Sequence, residues 1–196
     1  MKLMNQQKDH TDRIKTIKSV LFTLLFLPFS VQADELGDLY TKLNTTIISP
    51  ATLEEAIVAG EERASVCKFC HGPDGNSRRD YIPNLAEQNP KYLLKQFELF
   101  ASKERNNRIM SELSKNLTGE DRINIALYYS YQKAKHEPAL AAELAAGAKK
   151  IFQAKCATCH GDDAHGAELL PRLASQPAEY LNRTLNNYRS EPDFRP

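Results

Sequence analysis

No cysteine in this chain is left over. All four lie in two short stretches, Cys67–His71 and Cys156–His160, so nothing remains for a disulfide elsewhere or for a separate thiol nucleophile. A strand pattern is missing as well: no alternating apolar run of useful length occurs, and the expected class is all-α. A basic excess is missing too. With residues 1–33 set aside, 21 Lys and Arg stand against 23 Asp and Glu, a net charge of −2. That leaves no positive field for nucleic acid, and any docking charge must be a local patch. No paired carboxylates and no nucleophile–histidine–acid set has a persuasive spacing, which argues against an enzyme. Methionine is scarce, at positions 1, 4 and 110 only. What is present, 196 residues with 41% hydrophobic and 26% charged side chains, suits one large globular domain or two small ones.

Residues 1–33 read as an export signal. Lys2, Lys8, Arg13, Lys15 and Lys18 precede the apolar run Val20–Phe29, which is short for a membrane span, and Val31-Gln32-Ala33 offers small residues for cleavage after Ala33. An uncleaved anchor is the alternative. Export puts the mature chain in the periplasm, membrane-peripheral at most.

The two cysteine stretches are Cys67-Lys68-Phe69-Cys70-His71 and Cys156-Ala157-Thr158-Cys159-His160, both C-x-x-C-H. A single C-x-x-C fits a zinc knuckle or a dithiol redox pair. A histidine directly after the second cysteine, twice, fits covalent haem c instead: Cys67 with Cys70 and Cys156 with Cys159 form thioethers to the porphyrin vinyls, while His71 and His160 ligate iron. Two haem c groups are expected, and the attachment of c-type haem outside the cytoplasmic membrane agrees with the export signal.

Apolar spacing predicts a short helix over 34–44, then a Thr/Ser/Pro segment to Pro50. A second helix runs from about Ala51 into the first motif, with Leu53, Ile57, Ala64 and Val66 near one packing surface. Gly72-Pro73-Asp74-Gly75-Asn76-Ser77 reads as a loop. Asn89 as cap and Pro90 in the first turn open a helix whose Leu93, Phe97 and Phe100 point inward. Thr118 to Asp121 resembles a capping box for a helix to about Gln132, with Ile123, Leu127 and Tyr131 on one face. Pro138 marks a boundary, and an Ala-rich helix over 139–155 leads to the second motif. The basic residues from Lys91 to Arg108 read as a solvated helix face, with a docking rim or contact with haem propionates as the alternatives.

The halves repeat. Ile82-Pro83-Asn84-Leu85-Ala86-Glu87-Gln88 matches Leu170-Pro171-Arg172-Leu173-Ala174-Ser175-Gln176 at an offset of 88, and Tyr92-Leu93 matches Tyr180-Leu181. The resulting division is 1–33 signal peptide, 34–50 N-terminal extension, 51–134 first domain, 135–138 linker and 139–196 second domain.

With these motifs, the chain resembles class I c-type cytochromes, and the tandem copies with P-x-L-A-x-Q after each motif resemble the di-haem cytochrome c4 family over about residues 51–196. The resemblance implies two tandem helical domains, each wrapped round one haem. It also implies that Pro83 and Pro171 offer their carbonyls to His71 and His160, fixing the imidazoles. The family pattern F-x-x-G-x-R-x-x-x-x-M makes Met110 the sixth ligand of the first iron, although Lys103 stands where the pattern has Gly. The counterpart of Met110 would be position 198, beyond Pro196, and the final helix has no counterpart, so the second domain is expected to be incomplete at its C-terminus. A truncated product and an intended open iron both fit. His165 and His136 are poor substitutes for the missing ligand. The function implied is periplasmic transfer of single electrons between respiratory partners such as a quinol-oxidising complex and a terminal oxidase. The alternatives are a peroxidase or small-gas sensor at the second haem, or a cytochrome subunit of a larger dehydrogenase.

Overall fold

The computed structural model describes residues 35–135 and 142–190. The expected signal peptide, most of the linker with Pro138 and His136, and the last six residues of the second domain lie outside the described residues. Glu35–Pro196 forms one compact unit. The helices are α1 Glu35–Ile48, α2 Pro50–Arg63, α3 Lys68–His71, α4 Pro90–Ser102, α5 Arg108–Lys115, α6 Gly119–Ser130, α7 Ala142–Lys155, α8 Ala157–His160 and α9 Ala178–Ser190. Among the described residues there is no strand, only an isolated bridge between Ala167 and Leu170, so the fold is all-α as expected.

α1 runs four residues past its predicted end. Thr45 and Thr46 return their hydroxyls to the Lys42 carbonyl at 2.8 and 2.9 Å, which lets polar residues continue the helix. Only Ser49 separates it from α2, which opens on Pro50 with the ring in the first turn. α1 is anchored by Leu43, fully buried against Ala56, Leu94, Ile123 and Leu127. Burial of one such leucine contributes about 2 kcal/mol. Lys42 adds an ion pair to Glu120 at 3.0 Å, but both ends are exposed and it contributes little.

α2 and α6 carry the main packing of the first half. They meet at Gly60, where backbone approaches backbone. Ala64 is buried, and Leu53 and Ile57 are partly so, but Val66 is 51% exposed. The helix has ended by then, and the turn that prepares α3 swings Val66 out of the predicted face. α4 behaves as its spacing predicts, with Leu93, Phe97 and Phe100 all buried.

Asn89 sits at the N-cap of α4 without capping it. Its side-chain amide donates instead to Leu170 O at 2.7 Å and His165 O at 3.2 Å, in the second half. α4 ends on Lys103 with φ 67°, the left-handed conformation that glycine adopts without strain. The lysine keeps the turn at a cost of about 1 kcal/mol.

α6 has the expected capping box. Asp121 N–H donates to Thr118 Oγ1 at 3.1 Å, and Thr118 N–H donates to Asp121 Oδ2 at 2.9 Å. Arg63 Nε reaches the same carboxylate at 3.0 Å and ties α6 to α2. Burial pushes the Asp121 carboxyl upward, but the Thr118 bonds and the Arg63 charge outweigh it and hold the group below its usual range. Thr118→Ala is expected to cost about 1 kcal/mol, read as a lower urea midpoint with unchanged slope. Ile123 and Leu127 are buried as predicted. Tyr131 lies past the helix end and is 52% exposed, and Tyr128 and Tyr129 fill the core in its place.

The second half repeats the order α7, α8, loop, α9 in place of α2, α3, loop, α4. Among its described residues Arg172, Gln176 and Pro177 are the buried ones. All three lie in the segment that repeats Asn84–Asn89.

Candidate functional site

Each C-x-x-C-H stretch is one helical turn. Cys67 O accepts from Cys70 N–H at 3.2 Å and from His71 N–H at 2.9 Å, and Cys156 O accepts from Cys159 and His160 at 3.1 and 3.0 Å. The turn presents two thiols and an imidazole from neighbouring positions of a short helix. Gly72 and Gly161 follow at φ 82° and 78°, and there the chain leaves the helix in a conformation only glycine adopts easily. A Cβ on Gly72 would lie 2.2 Å from Asn76 O.

His71 is buried, and its Nδ1 lies 2.9 Å from Pro83 O. His160 is half-buried, and its Nδ1 lies 2.9 Å from Pro171 O. A carbonyl only accepts, so in each case Nδ1 carries the proton and Nε2 keeps its lone pair. Burial pushes the His71 pKa down, and the Pro83 bond opposes it without reversing it. The ring is therefore held neutral, oriented and ready to ligate through Nε2.

The Tyr129 hydroxyl is buried with no hydrogen-bond partner, and its side chain belongs to the cluster against which Cys67 and Met110 pack. Burial pushes the Cys67 thiol and the Tyr129 hydroxyl upward. Met110 is partly buried in the first turn of α5, where its N–H donates to Asn107 Oδ1 at 3.0 Å. Among the described residues no cluster of three or more His, Cys, Asp and Glu is placed to share a metal ion, and the four cysteines are free of disulfides. The donor sets fit haem c by their own geometry, Cys67, Cys70 and His71 on one helical turn and Cys156, Cys159 and His160 on the other, each histidine held through Nδ1.

Arg105 does not lie on a solvated face, whereas Lys103 and Arg108 are exposed as expected. Arg105 donates to Tyr180 Oη at 3.1 Å and to Gln96 Oε1, and it stacks 4.7 Å from the Phe100 ring centre. Tyr92 and Tyr188 lie in the same cluster, where burial pushes the Tyr92 hydroxyl up to about 12. Lys91 pairs with Glu168 at 2.5 Å. His165 is half-exposed and pairs with Asp163 at 3.2 Å.

Between the halves lies a feature the sequence reading passed over. Gln176 Oε1 accepts from Asn84 N–H at 3.0 Å, and its Nε2 donates to Asn84 O at 2.7 Å. Gln88 Oε1 accepts from Arg172 N–H at 2.7 Å, and its Nε2 donates to Arg172 O at 3.0 Å. Asn84 and Arg172 are equivalent in the repeat, as are Gln88 and Gln176. The signal was the identical glutamine at the end of both P-x-L-A-x-Q segments.

The family model described as Cytochrome c matches residues 145–194. Cytochrome c4 of Thiocapsa roseopersicina is 35% identical over 143 residues, covering 67% of this chain and 73% of that one. The thiosulfate dehydrogenase electron acceptor of Thiomonas intermedia is 32% identical over 144 residues, covering 67% and 66%. The crystal structure of reduced recombinant cytochrome c4 from Pseudomonas stutzeri aligns with a TM-score of 0.64 at 31% identity, covering 68% of this chain and 80% of that one.

Proposed function

The chain belongs to the cytochrome c4 family of di-haem electron-transfer proteins, and on that premise we propose that it carries single electrons between respiratory redox partners in the periplasm. The observation that carries the proposal is the duplicated geometry: two C-x-x-C-H turns, each with its histidine Nδ1 bonded at 2.9 Å to the carbonyl of the following P-x-L proline. Haem c supplies reversible one-electron chemistry at its iron. The protein's part is to hold and orient. Cys67, Cys70, Cys156 and Cys159 anchor the groups covalently, His71 and His160 offer Nε2, and Pro83 and Pro171 fix the rings and raise their basicity. Met110 offers its thioether to the first iron. Among the described residues no helix is long and apolar enough to cross a membrane.

Spectroelectrochemical titration tests the reading: two reversible one-electron waves are expected. Met110→Ala should lower one wave by on the order of 0.1 V or more, because axial ligands set haem potentials over about 0.8 V. It should also abolish the weak near-infrared sulfur-to-iron band. A band that persists unchanged in the variant removes Met110 from the ligand set.

A second reading is favoured by the Thiomonas relative, whose name makes it the acceptor for a thiosulfate dehydrogenase. On that reading this chain serves a sulfur-oxidising dehydrogenase rather than a quinol-oxidising complex upstream of a terminal oxidase. Stopped-flow reduction by each purified donor separates the two, since the physiological donor should be faster by orders of magnitude at low ionic strength.

A further inference from the structure

Each glutamine bonds across the halves to the same peptide group that orients the other half's histidine. The carbonyl of the Pro83–Asn84 peptide lies 2.9 Å from His71 Nδ1, and the N–H of that same peptide donates to Gln176 Oε1 at 3.0 Å. The carbonyl of the Pro171–Arg172 peptide lies 2.9 Å from His160 Nδ1, and its N–H donates to Gln88 Oε1 at 2.7 Å. Asn84, Gln88, Arg172 and Gln176 are all buried, so neither relay is diluted by bulk water. The side-chain orientation is fixed by its partners, because a backbone N–H only donates and a carbonyl only accepts.

We propose that Gln88 and Gln176 are crossed positioning residues, each tuning the redox potential of the haem held by the other half. A peptide is a conjugated unit, so an acceptor on its N–H draws the proton outward and makes its carbonyl oxygen more negative. The more negative oxygen accepts more strongly from the imidazole Nδ1–H. The imidazole in turn gains anionic character and becomes a better donor to oxidised iron. Gln176 thereby favours the oxidised state at His71, and Gln88 does so at His160. The arrangement also makes the two haems sensitive to how the halves meet: separating them breaks both relays together.

The proposal rests on His71 and His160 being the iron ligands, and the test keeps the two ideas apart. In the full haem-loaded chain, the first wave is identified as the one that Met110→Ala displaces. Gln176→Ala should then raise the potential of the first haem, increasing its ratio of reduced to oxidised form at fixed solution potential by about twofold or more. Gln88→Ala should do the same to the second haem. Gln176→Glu keeps an acceptor on Asn84 N–H but turns a second oxygen toward Asn84 O in place of the amide donor, so the carboxyl stays protonated until the pH is raised. Once ionised, it should lower the first wave. That opposite sign is one a merely loosened interface would not produce, and the variant also serves if the alanine change prevents folding. Waves that stay in place, or that move in the glutamine's own half, overturn the relay. A low-spin spectrum that survives His71→Ala at the first haem would instead overturn the ligand reading.

Discussion

Replacing Cys67 and Cys70 by alanine is expected to halve the haem that stays with the chain through acid–acetone extraction, from two groups to one. Cys67 and Cys70 stand on one helical turn with His71, and no other cysteine of the described first half could take over, because the remaining two are Cys156 and Cys159. A haem held only by His71 and Met110 leaves on denaturation, whereas a thioether-linked haem cannot. The paired variant Cys156→Ala/Cys159→Ala should also keep one haem, and the two single-haem chains should differ. The sulfur-to-iron band belongs with His71 and Met110, so it should survive in the second variant and vanish from the first. The pyridine haemochrome of the extracted protein gives the count. Two covalent haems in either paired variant would refute attachment at these turns.

That pairing of motifs was legible from spacing alone, because C-x-x-C-H is a local pattern that one helical turn realises. So were α4, whose Leu93, Phe97 and Phe100 fall at helical spacing and are buried, and the Thr118–Asp121 box. The misread residues stand where tertiary contacts override local signals. Asn89 has the identity of a cap but donates its amide to Leu170 and His165, and Arg105 reads as solvated charge but donates to Tyr180 and Gln96. Val66 and Tyr131 fit helical faces whose helices end before reaching them, three residues short of Val66 and one short of Tyr131. The crossed glutamines were visible as a repeated identity, yet nothing local says that Gln88 bonds to Arg172, 84 residues away. A repeat announces that two segments are alike. That the two segments bind each other is a property of their meeting in space.

Gly60→Val is expected to be the most damaging single substitution for stability, lowering it by about 3 kcal/mol or more, a large part of the roughly 5–15 kcal/mol available to a domain. Gly60 lies inside α2, so its conformation asks nothing special of it. What requires glycine is proximity. A Cβ there would lie 2.1 Å from Asn124 O, 2.6 Å from Asn124 C and 2.8 Å from Tyr128 Cβ. Two of those atoms are backbone of α6, so the helices themselves must part. Separating them also pulls on the first haem site, because α2 leads into Cys67 and α6 carries Tyr128, whose hydroxyl donates to Pro73 O at 2.7 Å beside the motif. Alanine at the same place would recover about 1 kcal/mol of helix propensity and so blur the result, which is why valine is the sharper test. Gly147 in α7 is the control. Nothing lies within 4 Å of a Cβ built on it, so Gly147→Ala should be neutral or stabilising by up to about 1 kcal/mol. Denaturant unfolding of both variants, followed at the first haem's sulfur-to-iron band and by circular dichroism, reads the difference. A Gly60→Val chain that unfolds at the wild-type midpoint would mean that α2 and α6 do not meet at this residue.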